Sequence, residues 1–167
     1  SSGIGFFDHM LTLFCRHGLF DLKLKMTGDL NVDGHHSMED LGLVLGQAFS
    51  QALGEKKGIN RYGTFFLPMD EALVMVSLDL SGRPYIVYNV SISVERIGEF
   101  DVELVSEFLR AFTVCGGVTL HVHKISGTNG HHIIEAIFKG LARALRQAVS
   151  LDNRETGIPS SKGILST

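Results

Sequence analysis

Two short strings hold most of the side chains in this sequence that could grip a metal ion. HHSMED spans residues 35–40 and HHIIEA spans 131–136, each giving the pattern His-His-x-x-Glu. On a helix, residues four apart share a face about one turn apart. His35 with Glu39, and His131 with Glu135, can therefore each clamp one ion. The adjacent His36 and His132 point roughly 100° away from their neighbours and suit an ion held by the other half of the chain.

The surroundings of the two strings repeat as well. His9 stands nine positions before Gly18, and Glu107 stands nine before Gly116. In each case a short helix runs to the glycine, a strand pattern follows, and an HHxxE string opens the next helix. If the two halves pack with pseudo-twofold symmetry, His131, Glu135, His36 and His9 surround one ion. By the same symmetry His35, Glu39, His132 and Glu107 surround a second. Imidazole and carboxylate donors without thiolate suit manganese, iron or zinc. Four protein ligands on an octahedral ion leave positions for a substrate.

A single HHxxE is often no more than a polar helix end. Two copies change that balance, because four histidines and two carboxylates gathered without a cation face a steep desolvation cost. His17 lies two turns from His9 and reads equally as a pocket residue or a helix cap. Lys139, eight residues after His131, falls on the same helical stripe. His121 and His123 share one face of a strand pattern and read as surface or packing residues.

The elements that must hold these residues follow from periodicity. LFDLKLKMT, residues 19–27, alternates apolar and polar positions as a half-buried strand does. Leu41, Val44, Leu45, Ala48, Phe49 and Ala52 recur at helical spacing and predict a helix over about 36–53, stopped by Gly54. ALVMVSLDL and YIVYNVSISV read as strands joined into a hairpin by SGRP. DVELVSEFLRAF reads as an amphipathic helix, GVTLHVHKI as a strand, and IIEAIFKGLARALRQAV as a long helix. The last residues, GIPSSKGILST, read as an extended tail.

Composition narrows the function classes. With 167 residues, 44% apolar and 20% charged, the chain can bury one sizeable core, and a single domain over 1–167 is expected, in two halves of about 1–90 and 91–167. A net charge of −3 with scattered cations gives no footprint for nucleic acid or an anionic membrane. Cys15 and Cys115 sit in apolar runs without CxxC spacing, as expected of buried free thiols in a reducing compartment. No apolar run reaches the roughly 18 residues of a membrane span, and no signal peptide is evident, so a soluble cytoplasmic protein is expected.

Taken in order, GIGFFDHML, HGLFD, DGHHSMED, MDEAL, SGRPY, GTNGHHIIEAIFKGLARALRQA and PSSKG resemble the imidazoleglycerol-phosphate dehydratase family from the first residues to the tail. The resemblance implies an α+β fold, internally duplicated, with two similar halves each a mixed sheet backed by helices. It implies a lyase of histidine biosynthesis that removes water from imidazole glycerol phosphate, with two Mn2+ ions holding the ring as an imidazolate. It further implies a hollow homo-oligomer of 24 subunits with metal sites at subunit contacts.

Its ligand set agrees with the eight residues derived from the duplication. Glu39, Glu135 and His17 are the candidates for proton transfer, and His17 also for contact with substrate. Lys139 is joined, through the resemblance, by Arg61, Arg83, Ser161 and Lys162 as phosphate-binding residues. Two departures stand out. Glu107 occupies a position where many relatives carry histidine, and the family's substrate-contacting glutamate would lie on a strand ahead of Ser1. Two rival readings remain beside this one: a dinuclear metallohydrolase acting on a phosphorylated small molecule, and a non-catalytic metal-binding oligomer.

Overall fold

A computed structural model describes residues 1–165 of the chain. Helix α1 covers Gly5–Gly18 and α2 covers His35–Leu53. Strands β1 (Tyr62–Met69), β2 (Ala72–Asp79) and β3 (Tyr85–Asn89) follow, then the short pair β4 (Arg96–Ile97) and β5 (Phe100–Asp101). Helix α3 (Leu104–Gly116), strand β6 (Thr119–Ser126) and helix α4 (Gly130–Val149) complete the order.

The fold is α+β, with a four-stranded mixed sheet ordered β1-β2-β6-β3. β2 is antiparallel to β1 and β6, whereas β3 runs parallel to β6. The expected β2–β3 hairpin is therefore corrected: β6 inserts between those strands. Its alternating apolar residues pair on both sides, Val76↔Val122 with β2 and Tyr88↔Val122 with β3. SGRP links β2 to β3 across the strand position that β6 fills.

Strand β1 was not anticipated, because Gly63 and Pro68 both break a strand pattern. Here they are tolerated: Pro68 is exposed on an edge strand, and Gly63 is where α4 crosses β1. A Cβ at Gly63 would sit 1.9 Å from the Ala144 carbonyl oxygen. Helix and strand approach that closely only without a side chain.

The segment 19–27 is a further correction. It joins no sheet among the described residues; Ser1 runs beside it, donating from its amino group to the Leu24 carbonyl at 2.7 Å and accepting from Met26 N–H at 3.1 Å. Its alternation still does what alternation does, turning Leu24 and Met26 toward the core.

The core lies between the sheet and the helices. Val74, Val76 and Leu78 of β2 and Leu120 and Val122 of β6 are buried, and α4, whose Ile133, Ile134, Ile137, Phe138, Leu141 and Leu145 are almost fully buried, packs across β1 and β2. At about 1.5–3 kcal/mol for each large apolar side chain removed from water, this one helix contributes a large share of the favourable folding energy. Helix α1 packs on α4 and α2 packs on α3. The latter contact is close because Gly42 and Gly46 face the backbone of Phe108 and Phe112. Cys15 and Cys115 are free thiols, and no helix among the described residues is long and apolar enough to cross a membrane.

Candidate metal and substrate site

The start of α4 is built to present its histidines. The Asn129 side chain caps the helix, accepting from the N–H groups of His131 at 2.9 Å and His132 at 3.3 Å. These backbone donors are thereby satisfied, and both rings are left for other partners.

One turn further along, the Glu135 carboxylate is 6% exposed and meets α1. Its Oε1 lies 3.0 Å from His9 Nε2 and 4.0 Å from His131 Nε2, while Lys139 donates to Oε2 at 3.3 Å. The ligand atoms of His9, His131 and Glu135 all lie within 4.8 Å of one another. Burial pushes the Glu135 carboxyl up, but Lys139, His9 and His131 outweigh it and hold it below the ordinary carboxylate range. A buried, ionised carboxylate with two imidazoles is the donor chemistry that a divalent cation satisfies. The residues therefore fit a metal ion.

His17, at the other end of α1, faces the same region. Burial, then the charges of Lys139, Arg143 and Arg16, push its imidazole down, with Glu135 acting in the opposite sense. It stands neutral at neutral pH, able to accept a proton.

His132 turns to another side of α4. Its Nδ1 lies 2.7 Å from Glu71 Oε2, and its Nε2 lies 3.7 Å from Asp70 Oδ2. Asp70 and Glu71 form the β1–β2 turn, with Asp70 in the left-handed region at φ 49°. The other oxygen of Glu71 accepts from the N–H groups of Thr128 at 3.2 Å and Asn129 at 2.8 Å. Hydrogen bonding by His132 and by these amides draws the Glu71 carboxyl down to about 2, and the Glu71 contact raises His132.

At the start of α2, His35, His36 and Glu39 are exposed. Asp33 accepts from the His35 N–H at 2.8 Å, and His36 Nδ1 lies 3.0 Å from Asp29 Oδ2. Glu107 is half-buried on α3 and lies 3.9 Å from Arg110. His36 does not join the His9, His131, Glu135 group, and His35, Glu39, His132 and Glu107 form no such group within one chain among the described residues.

The expected phosphate-binding residues separate into two kinds. Arg61 is committed: it makes a two-pronged contact to Asp79 at 2.7 and 3.0 Å and donates to the Pro159 carbonyl at 2.9 Å. Arg83 is exposed, touching Asp79 only at 3.8 Å. Ser161 and Lys162 are exposed in the tail that Arg61 tethers. Lys139 stands between Glu135 and Met69. His121 and His123 lie parallel on the outer face of β6, their ring centres 6.3 Å apart, with Asn89 Nδ2 3.4 Å from His123 Nδ1.

Sequence reasoning overlooked Asp29, Asp70, Glu71 and Asp79 as members of these clusters. The string MDEAL contained Asp70 and Glu71, but only the β1–β2 pairing brings that turn to the start of α4.

A sequence profile of the family described as imidazoleglycerol-phosphate dehydratase matches residues 2–145. An imidazoleglycerol-phosphate dehydratase of Clostridium botulinum is 60% identical over 164 residues, covering 98% of this chain and 84% of its own length. One of Caldanaerobacter subterraneus is also 60% identical, with the same coverage of each chain. Among solved structures, the Staphylococcus aureus dehydratase superposes with a TM-score of 0.86 at 46% identity, covering 91% of this chain and 86% of that one. A Pyrococcus furiosus structure in complex with (S)-C348 gives 0.84 at 41% identity, covering 96% and 86%.

Proposed function

Since the chain belongs to the imidazoleglycerol-phosphate dehydratase family and has that family's dehydratase role in histidine biosynthesis, we propose that its two HHxxE strings bind a pair of divalent cations, Mn2+ in particular, at the reaction centre. The observation that carries this reading is the buried Glu135 carboxylate within 3.0 Å of His9, with His131 alongside. His9, His131 and Glu135 would hold one ion, with His36 supplied by another copy of the chain. His35, Glu39, His132 and Glu107 would hold the second in the same shared manner. Ligands left incomplete within one chain support a homo-oligomer with its sites at subunit contacts, and the 24-subunit shell implied by the resemblance is the assembly we favour.

When bound, the cations supply Lewis-acid polarisation of the substrate's imidazole ring and neutralise developing negative charge. The chain's own groups do the rest. Neutral His17 accepts a proton at its free ring nitrogen, and the Glu135 and Glu39 carboxylates are the other proton carriers. Lys139 steadies Glu135 in its ionised form. Arg83, Ser161 and Lys162 bind the substrate's phosphate, and Arg61, fixed by Asp79, orders the tail that brings Ser161 and Lys162 into place.

The test is metal analysis of the purified protein joined to a dehydratase assay with imidazole glycerol phosphate after reconstitution with Mn2+. Two ions per chain and water loss from the substrate are expected. Full turnover by metal-stripped protein would refute the reading.

A further inference from the structure

The second histidine of each HHxxE string is held in the same way by residues that the repeat does not supply. His132 Nδ1 lies 2.7 Å from Glu71 Oε2, and His36 Nδ1 lies 3.0 Å from Asp29 Oδ2. Glu71 comes from the β1–β2 turn and Asp29 from the segment before α2, so one duplicated ancestor element does not account for both contacts. The same kind of contact is thus made from two different places in the fold.

An ionised carboxylate only accepts hydrogen bonds, so Nδ1 in each ring must carry the proton. In the neutral imidazole that leaves the lone pair on Nε2. We propose that Glu71 and Asp29 are positioning residues, which lock His132 and His36 in the Nδ1–H tautomer with Nε2 presented as the metal-ligating atom. The inference rests on the two-cation reading above and deepens it. A carboxylate behind a ligating imidazole fixes the orientation of the ring and raises its basicity.

The two holds differ in rigidity. Glu71 is itself anchored, because its other oxygen accepts from Thr128 and Asn129 N–H. Asp29 is exposed, and among the described residues its side chain has only its own backbone N–H beside His36. Asp70 stands on the Nε2 side of His132 at 3.7 Å, beyond hydrogen-bond reach, and leaves that nitrogen free.

Glu71→Gln tests the idea with little change of shape. The glutamine carbonyl still accepts from Thr128 and Asn129, but its NH2 group can only donate toward Nδ1, which drives the ring proton to Nε2. Mn2+ and Zn2+ are titrated calorimetrically into metal-free wild type, Glu71→Gln, His132→Ala, the double variant and Asp29→Asn. The thermal midpoint of each metal-free protein is measured alongside.

Glu71→Gln is expected to weaken binding about 10- to 100-fold with an unchanged metal-free midpoint. In the double variant the glutamine adds no further loss beyond His132→Ala. Asp29→Asn weakens binding through His36 in the same sense, and decides the matter if Glu71→Gln fails to fold. Wild-type affinity in both carboxamide variants, with His132→Ala impaired, overturns the positioning role and leaves the two-cation reading intact. A full Glu71→Gln penalty on the His132→Ala background likewise overturns it. A wild type that binds neither metal overturns both.

Discussion

His9 and Glu135 are separated by 126 positions in the chain, yet His9 Nε2 lies 3.0 Å from Glu135 Oε1. The contact joins α1 to α4 across the helical layer, so the first and last helices meet at the most chemically loaded point of the molecule. Lys139, one turn along α4, balances the same carboxylate from its other oxygen.

Replacing His9 with alanine should reduce affinity for Mn2+ by at least ~100-fold, the upper range of what loss of a mere outer-shell partner costs. The fold should survive, because Lys139 still partners Glu135. Calorimetry and circular dichroism on the same sample distinguish lost binding from lost structure.

Glu39→Gln and His132→Ala are expected to abolish dehydratase turnover and lower metal content while the metal-free fold persists. The exposed position of Glu39 makes a structural explanation for lost activity weak. A Glu39→Gln enzyme with two bound ions and normal turnover would remove Glu39 from the site.

Arg83→Ala should raise KM by about tenfold or more with a smaller change in kcat, since a phosphate contact acts in ground and transition states alike. Arg61→Ala should behave differently. It strands Asp79 and frees the tail at Pro159, so lower thermal stability and faster proteolysis near residues 158–165 should accompany any kinetic loss. Steady-state kinetics with limited trypsin digestion separates the two arginines.

Tyr88 supplies a pH prediction. Burial raises its phenol above the ordinary value of 10.0, so the folded state favours the neutral form. The contribution to stability is fully present below the unfolded value and is lost as pH rises through the folded one. Stability should fall above pH ~10 by up to about 1.4 kcal/mol per pH unit from this group. In Tyr88→Phe that part of the alkaline slope should vanish, as read from urea midpoints between pH 9 and 11.

Gly63→Val should destabilise by about 3 kcal/mol or more, because its Cβ would collide with the Ala144 carbonyl and push α4 off β1. Gly5→Ala, on α1 with no neighbour within 4 Å, should be neutral or stabilising by up to ~1 kcal/mol. A drop in melting temperature of several degrees for the first, with none for the second, is the expected result.

The helices were readable because their apolar stripes are long: the helix expected over 36–53 forms at His35–Leu53. The approach of His131 to Glu135 was readable because four-residue spacing on a helix is a local property. What could not be read was non-local. Nothing between residues 62 and 94 announces that a strand formed by residues 119–126 will enter the middle of the sheet. Nor does it show that a turn glutamate will reach a histidine 61 positions later. The segment 19–27 kept its alternation but lacked strand neighbours to turn that pattern into a ladder.

The insertion of β6 sets an order of events during synthesis. Until residues 119–126 leave the ribosome, β2 and β3 each expose an unpaired edge, and the sheet cannot close. His131 and His132 follow that strand within a few residues, so the second HHxxE string arrives as the last gap in the sheet is filled. Refolding should therefore be governed by long-range pairing rather than by the fast local winding of helices. Premature termination before residue 119 should yield an aggregation-prone fragment that also lacks His131, His132 and Glu135, three of the eight proposed ligands.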